Sequence, residues 1–198
     1  MANSSSSAII VIGSPQSDAQ IYSRVVQALG VARPDALGWL NATHDILTIA
    51  AGTLFSPPRM DAIEQLIEHP WPVVDQLIRQ APATPWHLYS GAGLCITIPI
   101  IHPRLPNPRY IFVRRDIRDA GISDLEYDYI SRCVAFLMTC RSPITVVSAW
   151  QLRDSRYCYE NVRGIADFVG VKDRDVMDRV VEELQKQNQV IRDVEEVE

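Results

Sequence analysis

The sequence predicts an α/β protein with a central parallel sheet of about four strands. Three observations point there. Four short runs rich in apolar and β-branched residues, at 8–12, 86–89, 109–114 and 144–148, recur along the chain. Stretches with helical spacing separate them, and strands alternating with helices favour a parallel sheet. The first run, Ala8-Ile9-Ile10-Val11-Ile12, is apolar throughout rather than alternating, as a strand covered on both faces requires.

Gly13 follows that strand at once, then the loop Ser14-Pro15-Gln16-Ser17-Asp18, then an amphipathic helix over 19–29. A strand, a glycine turn and a helix start make an anion seat, because free N–H groups and the positive end of the helix dipole converge. This loop, however, contains no Lys or Arg, and Asp18 brings a negative charge. Gly30 stops the helix and Pro34 keeps it stopped. Residues 35–80 read as helical pieces over 41–51, 60–68 and 73–79, punctuated by Pro57, Pro58, Pro70 and Pro72. That stretch is too long for a simple crossover and reads as an inserted cap. The second strand, Trp86-His87-Leu88-Tyr89, turns at Ser90-Gly91-Ala92-Gly93 into a short helix over 94–101. The third strand, 109–114, precedes a long amphipathic helix over 125–141, and the fourth strand is 144–148. A helix over 161–169 ends at Gly170, and a last helix over 173–195 carries Val176, Val180, Leu184, Ile191 and Val194 near one face. The polar residues 1–7 read as a disordered tail, and 8–198 as one domain whose final helix occupies 172–198.

At 198 residues the chain suits a single domain, and 47% hydrophobic with 22% charged residues is ordinary for a globular protein. A net charge of −5 argues against general nucleic-acid binding, so any phosphate must be held by a local cluster. Cys95, Cys133, Cys140 and Cys158 show no C-x-x-C spacing. Cys133 and Cys140 lie about two helical turns apart and cannot bridge, so reduced thiols in a cytoplasmic protein are expected. The N-terminus lacks a secretion-signal pattern, and no apolar run reaches the length of a membrane span. No His or Cys pair shows metal spacing.

In parallel sheets ligands sit beyond the C-terminal strand ends, here Gly13, Ser90, Arg114-Arg115 and Trp150. At the third of these, Arg115 at a strand end and Ser123 eight residues on can return to one crevice, a guanidinium fork and a hydroxyl suited to phosphate. The same spacing also fits a solvated turn in which Arg114, Arg115 and Arg118 pair with Asp116, Asp119 and Asp124.

Over about 8–171 the order and spacing of several weak motifs resemble the sulfotransferase family, P-loop-like proteins that use 3′-phosphoadenosine 5′-phosphosulfate. The family's G-x-x-R-S-G-T-S corresponds to Gly13-Ser14-Pro15-Gln16-Ser17-Asp18-Ala19-Gln20, and its G-F-W-E-like turn to Gly38-Trp39-Leu40-Asn41. The stretch Trp86 to Pro99 corresponds to W-x-x-K-D-P-R-L-C-L-T-L-P. Arg115-Asp116-Ile117-Arg118-Asp119 with Ser123 corresponds to R-D-P-x-D-x-x-x-S, Pro143 to Trp150 to P-x-x-V-V-S-Y, and Phe168-Val169-Gly170 to F-L-G. The resemblance implies a P-loop-like three-layer αβα fold with a helical insertion at 35–80. It implies 3′-phosphate binding by Arg115 and Ser123, with Gly13, Ser14, Gln16 and Ser17 forming the loop around the donor. The ligand it implies is 3′-phosphoadenosine 5′-phosphosulfate or 3′,5′-adenosine bisphosphate, with no intrinsic cofactor.

The departures fall on the chemistry. The family's loop cation is Gln16 here, the K-D-P-R turn is Ser90 to Gly93, and the acidic position after the tryptophan turn is Asn41. Sulfuryl transfer depends on positioned positive charge, and one lost donor costs about 3–4 kcal/mol. A carboxylate about 4 Å from the anion adds a repulsion of roughly 4 kcal/mol at an effective dielectric near 20. An impaired member is therefore expected, unless cations arrive from elsewhere in the fold. Arg153 and Arg156, just after the fourth strand, are better placed for that than Arg24, Arg104 or Arg109. His44 is the candidate base, against a helix-surface or core role. Trp150, at a strand C-terminus, could stack on a base or sugar, whereas Trp39, Trp71 and Trp86 read as core, and His87 and His102 as structural. The remaining alternatives are an active transferase with rewired residues, or a protein-binding module whose last helix meets a partner or a second copy.

Overall fold

Both faces of the first strand are covered, and its side chains divide between two cores. A computed structural model describes residues 6–13, 17–34, 78–79, 84–89, 95, 98–99, 101–115 and 124–195. In it β1 (Ala8–Gly13) is buried at every position. Ala8, Ile10 and Ile12 join one hydrophobic cluster, and Ile9 and Val11 join the other. A fully apolar run therefore alternates in direction without alternating in polarity, which is the pattern of a central strand in a three-layer fold.

The sheet has four parallel strands in the order β2-β1-β3-β4, with β2 at Trp86–Tyr89, β3 at Arg109–Arg114 and β4 at Ile144–Ser148. Ile9 is level with His87 on one side and Arg109 on the other; Gly13 is level with Val113, and Arg114 with Ser148. Helix α1 (Ala19–Ala28) packs Tyr22, Val25 and Val26 into the cluster on one face. Helix α2 (Asp124–Thr139) packs Cys133 and Leu137 against Tyr110 and Phe112 on the other. The chain moves in opposite directions along the sheet in these two crossovers, and the helix changes face with it, as a single handedness of connection demands. After β4 come a single turn, α3 (Trp150–Arg153), then α4 (Ser155–Val169) and α5 (Arg174–Glu195). These return to the α1 face.

The expected α/β class and parallel sheet are present. Several boundaries differ from the sequence reading, two of them for a reason the caps show. Helix α4 starts at Ser155 rather than 161, because Asp154 caps it by accepting from the Arg156 backbone N–H at 3.0 Å. Its buried stripe, Cys158, Val162, Ile165, Ala166 and Val169, begins among polar and aromatic residues that hid the periodicity. Asp173, read as the first residue of α5, is its cap and accepts from the backbone N–H of Asp175 at 3.0 Å. At the other end, order reaches back into the expected tail: Ser6 and Ser7 carbonyls accept from Asn107 and from the Trp86 backbone. The expected insertion at 35–80 lies outside the described residues apart from Ile78 and Arg79, which are helical.

Helix α5 packs on its own domain through Met177, Val180, Val181 and Leu184. The side chains of Ile191 and Val194 lie outside the described set. Among the described residues no helix is long and apolar enough to cross a membrane. All four cysteines are free, and Cys95, Cys133 and Cys158 are buried.

One buried bond fixes α1 to the far side of the sheet. The Tyr22 hydroxyl donates to the carbonyl of Ser148, the last residue of β4, at 2.9 Å. Burial pushes the Tyr22 phenol far above its ordinary pKa, so it stays a donor. Tyr22→Phe leaves that carbonyl without the bond and should cost about 1–2 kcal/mol of stability. The urea midpoint should fall at unchanged slope; a midpoint equal to the native one would contradict this.

Candidate anion-binding site

The four parallel strands end on one edge, at Gly13, Tyr89, Arg114 and Ser148. The chain leaves β1 toward β2 and returns past it to β3, so the edge beyond β1 and β3 is the topological switch point, where such sheets bind ligands.

At that edge Ser17, just before α1, lies against the end of β1. A Cβ at Gly13 would lie 2.1 Å from Ser17 Oγ, 2.9 Å from Ala19 Cβ and 3.0 Å from the Val113 carbonyl oxygen. Glycine is needed here for close approach, not for an unusual φ. Ser17 is buried, its hydroxyl turned onto the strand end. From below, the Cys95 thiol donates weakly to the Gly13 carbonyl at 3.7 Å.

Asp18 then takes a left-handed conformation, φ 55, at the cap position of α1. An aspartate there ordinarily accepts from the first helical N–H groups. This one makes no side-chain cap bond. Its carboxylate pairs instead with the Arg153 guanidinium, delivered from the last residue of α3 just beyond β4. The two residues are 135 positions apart in sequence. Both side chains keep contact with water, at 54% exposure for Arg153 and 35% for Asp18.

On the neighbouring strand, Arg114 and Arg115 follow Val113, the residue level with Gly13. Arg114 is exposed and Arg115 half-buried. The strand ends are tied together there, since Ser148 Oγ donates to the Arg114 carbonyl at 3.4 Å and the Ser148 N–H donates to Gln151 Oε1 at 3.0 Å. Trp150 opens α3 half-buried and meets Tyr157 edge-to-face at 5.5 Å between ring centroids. Arg153 also lines a polar cleft of about 280 Å³ with Ser155, Gln185, Asn188 and Gln189. Asn188 Nδ2 donates to the Leu152 carbonyl at 2.9 Å, holding α3 against α5.

The residues singled out from sequence therefore divide. Gly13 and Ser17 form the strand-end turn, Arg115 stands on the adjacent strand end, and Trp150 begins the turn that carries Arg153. Ser14, Gln16, His44 and Ser123 lie outside the described residues, as do Asn41 and the turn from Ser90 to Gly93. Of the substitute cations, Arg153 reaches the turn. Arg156 bonds Asp154 at 2.7 Å, and this neighbour raises its already high pKa. Arg109 stacks over the Phe168 ring at 4.7 Å, at the opposite end of β3. Arg24 is exposed on α1. Sequence reasoning placed Arg153 at the correct strand end but did not identify Asp18 as its partner. The available signal was that both are charges just past C-terminal strand ends.

The two histidines of the described residues, His87 buried and His102 half-buried, are bonded within the core packing. His87 is wholly buried on β2 and shares a hydrogen bond with Ser23 at 3.2 Å through Nε2; burial pushes its pKa down to about 4. His102 bonds the Tyr110 hydroxyl through Nδ1 and packs against Phe136; burial lowers its pKa as well. Among the described residues no group of three His, Cys, Asp or Glu side chains converges as a metal would need. The sequence matches no protein-family model and no curated protein.

Proposed function

We propose that this chain is a sulfotransferase-like protein, catalytically impaired, that retains binding of a 3′-phosphonucleotide or a similar small anion at the switch-point edge. The observation that carries it is the pairing of Gly13 with Val113, which sets the glycine turn beside Arg115 at the C-terminal edge of a parallel sheet. A guanidinium next to a strand-turn-helix start is a fitting anion site. Impairment follows from charge: the guanidinium that Arg153 brings to Asp18 is matched by that carboxylate. A neutral pair supplies little of the positive potential that sulfuryl transfer draws on. The free, buried thiols accord with a cytoplasmic setting.

One observation favours a second reading. Arg153 does arrive at the turn from outside the loop, so an active transferase that has moved its cation from loop to α3 is the alternative, with His44 as its base. A module that binds protein rather than nucleotide is the outcome if no anion binds.

Titration with 3′,5′-adenosine bisphosphate separates these. A ligand at a hundred times its Kd should stabilise the native state by about 2.7 kcal/mol and raise Tm accordingly. Arg115→Ala should remove that shift. No shift at millimolar ligand would overturn both nucleotide-binding readings, and a shift surviving in Arg115→Ala would overturn the assignment of Arg115. Transfer of sulfuryl to any acceptor would favour the rewired enzyme.

A further inference from the structure

We propose that a second copy of this chain docks on the outer edge of β4 and the apolar groove beside it, the two β4 strands pairing antiparallel about a two-fold axis. This contact depends on neither Arg115 nor a nucleotide.

The two faces of β4 are unequally covered, whereas parallel sheets are ordinarily buried on both. On one face Val147 joins the cluster built with α1, α4 and α5. On the other, α2 packs Leu137 against Phe112 of β3 and leaves β4 bare. Ile144 and Val146, which β4 turns to that face, are 36% and 61% exposed. Between them and α2 runs a groove of about 260 Å³, lined by Phe112, Val134, Leu137, Met138, Ile144 and Val146 and by no polar side chain. Met138 is 82% exposed, and Tyr127, on the same helical stripe of α2, is 68% exposed. Four of the five large hydrophobic side chains exposed among the described residues therefore gather at one place, the mark of an interaction surface rather than of scattered exposure.

The backbone of Ile144 and Val146 faces the same way out. The Pro143 carbonyl accepts from the Tyr110 N–H at 2.9 Å, so Pro143, Thr145 and Val147 turn their peptide groups toward β3, and Ile144 and Val146 turn theirs to the open edge. Just beyond, the outward N–H of Ser148 is taken by Gln151. The edge from Ile144 to Val146 carries no charge, no proline and no bulge, the devices that ordinarily keep an edge strand from pairing.

Such an edge fits a strand with two apolar β-branched residues on either side of one that faces the opposite way, and β4 itself has this pattern. Set antiparallel about Thr145, Ile144 of each copy stands opposite Val146 of the other. Their outward N–H and C=O groups then pair, and their side chains meet on the groove side. A two-fold axis at Thr145 gives both copies the same contact. Because the strand is uncharged, the seam sets no like charges opposite one another despite a net charge of −5 on each copy. At roughly 150–200 Å² for a fully exposed side chain of this size, Tyr127, Met138, Ile144 and Val146 offer on the order of 400 Å² per copy. The strand backbone adds to that, but the total stays below the roughly 800 Å² per partner of a standard interface, so the dimer is one that dissociates on dilution. Residues 35–77, the longest stretch outside the described residues, depart beyond Ala32, which bridges Trp86 of β2 at the opposite edge of the sheet.

Sedimentation velocity from micromolar to millimolar protein tests this. The native protein should pass from monomer to dimer as its concentration rises. Val146→Lys alters an exposed side chain, so the monomer should keep its Tm while the dimer Kd rises at least tenfold. Thr145→Cys tests the register. Directly opposed residues of this kind lie about 4.5 Å apart between Cα atoms, within reach of a disulfide, so oxidised glutathione should link the two copies. The native protein, whose Cys140 is partly exposed, is the control and should stay unlinked. A native protein that remains monomeric throughout overturns the proposal. So does a dimer that survives Val146→Lys, which would place the contact elsewhere, and so does a dimer in which Thr145→Cys links no better than the native protein.

Discussion

Gly13→Val should lower the stability of this protein by about 3 kcal/mol or more, at the upper end of what overpacking costs. The side chain would have to enter a space already filled. Its Cβ meets Ser17 Oγ at 2.1 Å, and behind that lie Ala19 Cβ at 2.9 Å and the Val113 carbonyl at 3.0 Å. The serine hydroxyl can rotate, but the carbonyl belongs to the central ladder and the alanine to the first turn of α1. Two further substitutions test the cause. Gly13→Ala alone should be damaging but milder, and Ser17→Gly in that background should recover part of the loss by removing the nearest contact. Urea unfolding of the three variants reads this directly. A Gly13→Val protein as stable as the native one would mean that the turn is looser than its contacts imply.

The second large effect is acid sensitivity at His87. The imidazole is wholly buried, and its pKa of about 4 lies well below the ordinary 6.5. The direction follows from proton counting. Above pH 6.5 the ring is neutral in folded and unfolded chains alike and makes no pH-dependent contribution. As pH falls from 6.5 to 4 the unfolded chain takes up a proton that the folded protein refuses, so stability drops. The accumulated loss is roughly 3 kcal/mol at pH 4. His87→Leu paired with Ser23→Ala, which keeps the serine from being stranded, should remove this component. Unfolding midpoints for native and double variant, compared from pH 7.5 to 4, should therefore diverge in slope below 6.5. Parallel slopes would show that His87 does not carry the effect.

Local signals made much of the fold legible. Ala8 to Ile12 announced a strand buried on both faces by lacking any polar alternation, and Gly13 marked its end. Periodicity located α1, α2 and α5 to within a few residues. It failed at α4, whose first turn exposes Ser155, Arg156 and Tyr157 and whose start depends on a cap by Asp154. What could not be read was any relation between distant charges. Asp18 reads as an obstacle because its loop holds no cation, and Arg153 reads as a substitute for the missing loop cation because it follows the fourth strand's C-terminal end; neither reading makes the two a pair. Only the sheet, which sets the ends of β1 and β4 on one edge, makes them partners. The order of the strands was hidden for the same reason, since it lies in long-range pairing and not in propensity.

The central position of β1 also has a consequence for how the molecule comes into being. Its two neighbours in the sheet begin at Trp86 and Arg109, so this wholly apolar strand is made before both and must wait for them. Until residues beyond 113 have left the ribosome, Ala8 to Gly13 has no complete pair of strands to join. Long-range parallel pairing is slow, and an unpaired apolar strand is prone to self-association while it waits. Yield in cells should therefore depend on synthesis rate and chaperone supply more than the stability of the finished fold would suggest.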